Sequence, residues 1–284
     1  MNIQSLSIVV PTKNCWNKCE FCVSRMHHED YGKSIIGENN TIPYRYLERI
    51  AFVREEGCNT MILTGTGEPQ QNLEFISELL DKNFNELPKP FYNIAIQTTG
   101  SGLTDDDVKE LAIDGVTTMA ISTNSLDDEE NCAISNMPKE KRVKLDSLIA
   151  ASKENNMIVR LCYNMTSAFN KYSFDDLINY ALERDVDQVT FRKIYASGNN
   201  DKINAWIANH KYNDFDMIRK RVVEDGKLIA RLPYGFLQYS VKGVSIVVDD
   251  DCMSKDNIEE MKYAILRPNG HLYSRWDDKG SLIF

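Results

Sequence analysis

Residues 6–22 read Leu6-Ser7-Ile8-Val9-Val10-Pro11-Thr12-Lys13-Asn14-Cys15-Trp16-Asn17-Lys18-Cys19-Glu20-Phe21-Cys22, an apolar run followed by three closely spaced cysteines. The apolar run predicts a buried β-strand over Leu6–Val10, and Pro11 ends it. The cysteines fall on the loop after this strand and are separated by three and two residues. Thiolates are soft metal ligands, and this spacing lets one loop fold around a metal centre. The stretch therefore predicts a metal site at the end of the first strand.

Short apolar runs and longer helical patterns alternate from there to residue 191. Further strands are predicted at Thr60–Thr64, Tyr92–Ile96, Val116–Ile121, Met157–Tyr163 and Val186–Phe191, with helices at Tyr44–Glu56, Leu73–Leu80, Asp105–Ile113, Lys141–Asn155 and Phe174–Arg184. Strands that alternate with helices imply a parallel sheet with right-handed crossovers. The predicted fold class is therefore α/β, with six parallel strands in a partial (β/α)6 barrel of the TIM type.

The pattern changes after residue 200. A helix is predicted at Asp214–Glu224, β-like stretches follow at Lys227–Leu232, Gly235–Ser240 and Val244–Val248, and Asn269-Gly270 between apolar segments is a hairpin signal. We therefore expect a barrel core over residues 1–200. Residues 201–284 are expected to form a small α+β extension whose antiparallel elements pack on the barrel.

Composition narrows the class of protein. The 284 residues include 33 Lys and Arg against 42 Asp and Glu, a net charge of −9, which disfavours nucleic acid as the main partner. No run approaches the roughly 18 apolar residues of a membrane span, and the start Met1-Asn2-Ile3-Gln4 lacks the pattern of a secretory signal. We therefore expect a cytoplasmic protein without a membrane segment. In a reducing compartment, a tight cysteine cluster indicates metal binding more than disulfides.

Polar segments follow three successive predicted strands. They are Gly65-Thr66-Gly67-Glu68-Pro69, Gln97-Thr98-Thr99-Gly100 and Ser122-Thr123-Asn124-Ser125. Parallel α/β folds place their ligand sites where the carboxyl ends of the strands meet, so we expect these segments to converge on one mouth. The two glycines of the first segment allow close backbone approach, and Glu68 is suited to accept hydrogen bonds from an amino group.

Together these motifs resemble the radical S-adenosylmethionine (SAM) superfamily. The resemblance rests on the CxxxCxxC triplet with Phe21 before its last cysteine, on a GGEP-like segment with Thr66 between the glycines, and on the order of the later strand ends. It covers roughly residues 5–200. The resemblance implies that Cys15, Cys19 and Cys22 bind three irons of a [4Fe-4S] cluster, while the fourth iron takes the amino and carboxylate groups of SAM.

Further roles are implied position by position. Phe21 would pack near the adenine, Gly67 and Glu68 would receive the methionyl amino group, and Tyr195 would contact the adenine through its backbone. Ser122 and Asn124 stand where family members bind the ribose or the carboxylate. The implied cofactor-binding set also contains Gly65, Thr66, Pro69 and Thr98.

The implied reaction is reductive. One electron from an external donor such as flavodoxin or ferredoxin cleaves SAM to methionine and a 5′-deoxyadenosyl radical, which takes a hydrogen atom from a small-molecule or peptide substrate. Arg160 and Arg192, on the fifth and sixth strands, could bind an anionic group of that substrate; the alternative is that they point outward or form ion pairs in the barrel wall. The four cysteines outside the triplet are scattered, so a single cluster is expected.

Other interpretations stay open at this point. The cysteines with His27 or His28 could form a structural zinc site in a non-catalytic zinc or iron–sulfur scaffold, or the chain could activate a partner radical enzyme. The run Asp249-Asp250-Asp251 could hold a cation but is interpreted as a solvated turn, and Cys252 could donate a hydrogen atom to a substrate radical but is interpreted as an inert thiol.

Overall fold

An eleven-stranded sheet organises the chain in the computed structural model, which describes residues 2–12, 14–26, 41–196, 201–232, 235–250, 260–278 and 280–284. The strands are β1 (Asn2–Val9), β2 (Thr60–Thr64), β3 (Asn93–Thr98), β4 (Thr118–Thr123), β5 (Ile158–Asn164), β6 (Gln188–Arg192), β7 (Lys227–Arg231), β8 (Leu237–Val241), β9 (Val244–Asp249), β10 (Glu260–Leu266) and β11 (Leu272–Tyr273). Their order in the sheet is β11-β10-β1-β2-β3-β4-β5-β6-β9-β8-β7.

The strands from β1 to β6 are neighbours in sequence order and all parallel, as expected for the barrel core. The predicted α/β fold with an unclosed partial barrel is therefore confirmed. Beyond it, β10 pairs in parallel with β1 and β9 pairs in parallel with β6, so strands from the last quarter of the chain lengthen both edges of the parallel run. The antiparallel pairings follow outside them, at β11 on one edge and at β8 and β7 on the other.

Helices connect the strands. They are α1 (Val23–Met26), α2 (Tyr46–Glu55), α3 (Leu73–Asn85), α4 (Asp105–Ile113), α5 (Asp128–Ile134), α6 (Leu145–Glu154), α7 (Phe174–Glu183), α8 (Asp201–His210) and α9 (Phe215–Asp225). The sequence patterns missed α1, α5 and α8. They also placed the start of α6 at Lys141, whereas Lys139–Lys141 forms a separate 3₁₀ turn and the helix begins at Leu145.

Alternation along the strands separates the hydrophobic core from the barrel interior. On β5, the side chains of Val159, Leu161 and Tyr163 join the buried apolar core. Successive side chains of a strand point to opposite faces, so Arg160, Cys162 and Asn164 share the other face. The barrel interior is therefore lined with polar side chains, whereas the outer face of the sheet packs against the helices.

The Asn269-Gly270 hairpin is present between β10 and β11. Gly270 has a φ of 82° and donates its N–H to Arg267 O at 2.9 Å, a backbone conformation that glycine adopts readily. The division of the chain at residue 200 stays a prediction. Within the described ranges, the protein contains no helix that combines the length and the apolar character needed to cross a membrane.

Candidate functional site

The cysteine loop lies at the carboxyl ends of the strands. Cys15, Cys19 and Cys22 are half-buried and line one cavity of about 250 Å³. The loop is held to the end of α5, because Lys18 N and Cys19 Sγ both approach Ser135 O, at 3.2 and 3.5 Å. Arg25 on α1 donates to the carbonyl oxygens of Lys18 and Cys19 at 3.2 and 3.0 Å. These contacts fix the backbone that carries the three thiols.

Burial makes the thiols of Cys15 and Cys19 weaker acids than a free thiol, because it raises their pKa. It raises the pKa of Cys15 to about 12, with a further contribution from the negative charge of Glu68, and it also raises the pKa of Cys19. Without metal both groups therefore stay neutral near pH 7. A bound cationic metal centre would instead favour their thiolate forms, so metal binding at this loop would release protons.

The donor set fits an iron–sulfur cluster. Among the residues that the structure describes, no three His, Cys, Asp or Glu side chains lie close enough together to surround a single metal ion. A cluster has a different requirement, because each cysteine binds a different iron, so the thiols must share the wall of one cavity. Cys15, Cys19 and Cys22 meet that requirement. His27 and His28 lie outside the described residues.

The GxGEP segment forms the wall beside the cysteines. A Cβ atom on Gly67 would stand 2.7 Å from Thr12 Oγ1, 2.8 Å from Gln71 Oε1 and 3.3 Å from Cys15 Cα. A side chain at position 67 would therefore crowd Thr12, Gln71 and the cysteine loop, which glycine avoids. The cavity wall includes Gly65, Thr66, Gly67 and Glu68, whereas Pro69 is buried and begins the 3₁₀ turn Pro69–Asn72 outside it.

Glu68 joins the cysteine loop to the end of β3. Its carboxylate is 6% exposed and accepts hydrogen bonds from Asn17 Nδ2 (3.1 Å), Gln70 Nε2 (3.2 Å), Thr98 Oγ1 (2.6 Å), and both N (3.0 Å) and Oγ1 (2.9 Å) of Thr99. Protein donors thus occupy both carboxylate oxygens. The binding of a ligand amino group by Glu68 stays a prediction.

Asn17 supplies an acceptor that the sequence reasoning missed. Its side chain lines the cavity, its Nδ2 donates to Glu68 and to Thr99 Oγ1, and its Oδ1 is buried without a hydrogen-bond partner among the residues that the structure describes. A buried unpaired carbonyl oxygen is unfavourable, so the site fits a ligand that brings a donor such as an amino group. Its position between two of the cysteines was the only available signal.

The opposite wall comes from β3, β4 and β5. Ser122 Oγ accepts a hydrogen bond from Gln97 Nε2 at 2.7 Å, and Asn124 is buried between Ser135 Oγ (2.8 Å) and Asn164 Nδ2 (3.0 Å). The remaining predicted cofactor residues on the cavity wall are Phe21, Thr98 and Tyr195. Phe21 also stacks on Trp206 of α8, with ring centroids 5.4 Å apart.

A second cavity of about 430 Å³ occupies the barrel interior and shares Gln97 and Arg192 with the first. Both predicted substrate residues, Arg160 and Arg192, line it. Arg192 also forms an ion pair with Asp249, Nε to Oδ2 at 3.2 Å, as the alternative interpretation expected, and substrate binding by either arginine stays a prediction. This space, the interior cavity, therefore meets the cavity lined by the three cysteines, the cysteine cavity, at the layer of Gln97 and Arg192.

The interpretation of Asp249 as part of a solvated turn was wrong. Asp249 ends β9 with its side chain toward the barrel interior and is 5% exposed. Its Oδ1 lies 3.2 Å from Nζ of Lys262 on β10, which is 3% exposed. This ion pair spans the two outer strands of the parallel run. Asp251 and Cys252 lie outside the described residues.

Comparisons with known proteins agree on the family. The model of the Radical SAM superfamily matches residues 9–183. A GTP 3′,8-cyclase of Clostridium perfringens (strain 13 / Type A) is 28% identical over 250 residues, which are 86% of this chain and 73% of the cyclase.

Solved structures share the fold. SuiB of Streptococcus suis bound to S-adenosylmethionine is 20% identical with a TM-score of 0.54, and the match covers 79% of this chain and 47% of SuiB. The chain thus spans about half the length of SuiB. The structure of anSMEcpe with bound AdoMet and Cp18Cys peptide is 14% identical with a TM-score of 0.56, over 96% of this chain and 73% of that one.

Proposed function

Because the chain belongs to the radical SAM superfamily, and is therefore an enzyme of a family that uses SAM and an iron–sulfur cluster, we propose that it cleaves SAM reductively and abstracts a hydrogen atom from its substrate. The cluster we propose is a single [4Fe-4S] group bound by Cys15, Cys19 and Cys22. The observation that carries the proposal is the single cavity lined by all three thiols, the GxGEP segment and the ends of three further strands.

With the cluster and SAM bound, an electron delivered through the cluster would break the sulfur–C5′ bond of SAM and give methionine and a 5′-deoxyadenosyl radical. The radical would take a hydrogen atom from a substrate carbon and become 5′-deoxyadenosine. The chain's own contribution is positioning and exclusion of water. Asn17 Oδ1 and the Gly67 backbone would receive the amino group of SAM, and Ser122 and Asn124 would bind its ribose or carboxylate. Phe21 and Tyr195 would flank the adenine.

Two classes of substrate are represented among the similar proteins. The C. perfringens relative is a cyclase named for GTP, whereas SuiB has been solved with the precursor peptide SuiA. We propose a small-molecule or peptide substrate in the interior cavity, because Gln97 and Arg192 line both cavities and connect that space to the cysteine site. A bound substrate would then lie against the SAM pocket.

The metal content separates this function from a zinc scaffold. After anaerobic reconstitution with iron and sulfide, we expect about four irons and four sulfides per chain. Binding of SAM should then change the electron paramagnetic resonance spectrum of the reduced cluster. Stoichiometric zinc with no bound iron, measured on the same sample by plasma mass spectrometry, would contradict the proposal.

We also propose that the electron donor is an acidic flavodoxin or ferredoxin in the cytoplasm. It would dock on a basic surface beside the cysteine loop, formed by Lys18, Arg25, Lys139 and Lys141. Arg25 reaches the Lys18 carbonyl at 3.2 Å, and Lys141 Nζ lies 4.2 Å from the ring centroid of Trp16 within the loop. Two carboxylates, Glu20 and Glu140, lie in the same segments. This surface therefore has four positive and two negative side chains, although the net charge of the whole chain is −9.

Charge reversal tests this docking surface. Lys18→Glu combined with Lys139→Glu should raise the flavodoxin concentration for half-maximal turnover by about tenfold at low salt, because the attraction that steers association is reversed. Turnover driven by dithionite should be unchanged, since this reductant needs no docking. Lys227→Glu on the edge strand β7 is the control. An unchanged flavodoxin dependence in the double variant would refute the assignment of this surface.

A further inference from the structure

We propose that the interior cavity binds a metabolite-sized anion, whose carboxylate or phosphate group is held by Arg160 at the end of the cavity away from the SAM pocket. That this anion is the substrate rests on the proposed function. The existence of an anion site does not, because it follows from the charges and the geometry of the cavity.

Arg160 lies further from the carboxyl ends of the strands than the cysteine cavity, in which we propose that SAM binds (the SAM pocket). Asn164, Cys162 and Arg160 face the interior in succession along β5; Asn164 lines the cysteine cavity, and the other two line the interior cavity. Four residues of parallel strand span about 13 Å at roughly 3.3 Å per residue. Arg160 stands in register with Gln188 on β6, whereas Arg192 pairs with Asn164 at the upper layer. The cavity therefore has an upper layer at the SAM pocket and a lower layer at Arg160.

The described lining of the cavity carries an excess of positive charge. Its ionised side chains are Arg160, Arg192 and Lys262 against the single carboxylate of Asp249. That carboxylate already contacts two of the cations, Arg192 at 3.2 Å and Lys262 at 3.2 Å. The balance of the described lining is thus three positive charges to one negative, inside a chain whose net charge is −9.

Arg160 is the cation that Asp249 does not contact. Its Nε donates to the neutral Gln188 Oε1 at 2.7 Å, and it forms no ion pair with any carboxylate in the described ranges. Partial burial and the nearby charge of Arg192 lower the pKa of Arg160, as expected for a cation that lies close to another cation. A partly buried charge that has no counterion in the described ranges is unfavourable, and a guanidinium can bind a carboxylate or a phosphate through two parallel hydrogen bonds.

The rest of the cavity indicates what is attached to the anion. The lining is otherwise a mixture of amides, hydroxyls, aliphatic side chains and aromatic rings, among them Gln97, Gln188, Thr190, Phe236 and Tyr263. A volume of about 430 Å³ lies in the range of small-molecule sites, roughly 300–1,000 Å³. A ligand anchored by its acid group at Arg160 would present its other end to the layer of Gln97 and Arg192. The reacting carbon would then lie at the end of the substrate remote from its acid group.

Equilibrium dialysis of the cluster-free full-length protein tests the site, with radiolabelled inorganic phosphate in one arm and succinate in the other. We expect saturable binding of one probe at one site per chain, and the arm that binds identifies phosphate or carboxylate. Arg160→Gln should weaken that binding at least about tenfold, and Arg160→Lys less, because lysine keeps the charge but loses the paired hydrogen bonds. Arg231→Gln, an exposed position on β7, is the control.

Several outcomes would overturn the site. The site would be refuted if neither probe bound saturably to the wild-type protein. It would also be refuted if Arg160→Gln left the binding unchanged. If Arg160→Gln fails to fold, Arg160→Met and a selenate-soaked crystal of the wild-type protein decide, since an anomalous peak away from the Arg160 guanidinium would also refute the proposal. The dialysis needs neither cluster nor SAM, so its failure is distinguishable from a failure to form 5′-deoxyadenosine.

Discussion

The Cys19→Ala variant is expected to assemble no iron–sulfur cluster and to form no 5′-deoxyadenosine, while it stays folded. Cys19 Sγ lines the cavity and is supported by Ser135 O at 3.5 Å, so its loss removes one of the three thiols without opening the strands. Bound iron after reconstitution should fall from about four per chain to less than one, and 5′-deoxyadenosine formation by at least about 100-fold.

Cys58→Ala is the matched control for this variant. Cys58 is buried away from the loop and donates to Thr60 O at 3.4 Å, so its replacement should leave both iron content and SAM cleavage near wild-type values. Iron and sulfide assays, with circular dichroism to check folding, complete the comparison. Full cluster loading in Cys19→Ala would remove this cysteine from the ligand set.

The Asp249→Ala variant is expected to lose about 3–5 kcal/mol of unfolding free energy, because breaking a buried ion pair by removing one partner is strongly destabilising. Asp249 is the carboxylate that Arg192 and Lys262 both contact, and it links β9 to β10 across the outer strands of the parallel run. Adding Lys262→Met should restore part of the loss, since it removes one of the two cations left behind.

The neighbouring residue provides the control for this prediction. Asp250 is exposed and forms its ion pair with Arg219 at the surface, so Asp250→Ala should change the unfolding free energy by less than about 1 kcal/mol. Urea denaturation of the cluster-free protein measures all the variants. Equal stability of Asp249→Ala and Asp250→Ala would show that this ion pair does not hold the outer strands.

The sequence predicted the six central strands well, because each βα unit is local and its period is readable within a short window. The same reasoning placed residues 201–284 in an extension with antiparallel elements. It missed the parallel pairing of β9 with β6 and of β10 with β1. Those pairings join residues far apart in the sequence: Ser5 on β1, for example, donates to Lys262 O. No local pattern reports such a partner. The seven residues of α5 were too few to show a helical period.

The candidate site divides in a similar way. Motif spacing brought the cysteines, the glycines and Glu68 to attention, and the structure places all of them around one cavity. Motif spacing could not show that Asn17 and Thr99 donate hydrogen bonds to the carboxylate of Glu68, because each of these contacts joins two loops. The sequence analysis interpreted Asp249 as part of a solvated turn because its partners, Arg192 and Lys262, lie on other strands.

The formation of 5′-deoxyadenosine tests the central claim most directly. The reconstituted wild-type protein is reduced with dithionite under anaerobic conditions in the presence of SAM, and the products are separated by chromatography. We predict 5′-deoxyadenosine and methionine in equal amounts, both absent from Cys19→Ala. A wild-type yield of 5′-deoxyadenosine no higher than that of Cys19→Ala, from protein with a fully loaded cluster, would contradict the claim that this chain cleaves SAM reductively.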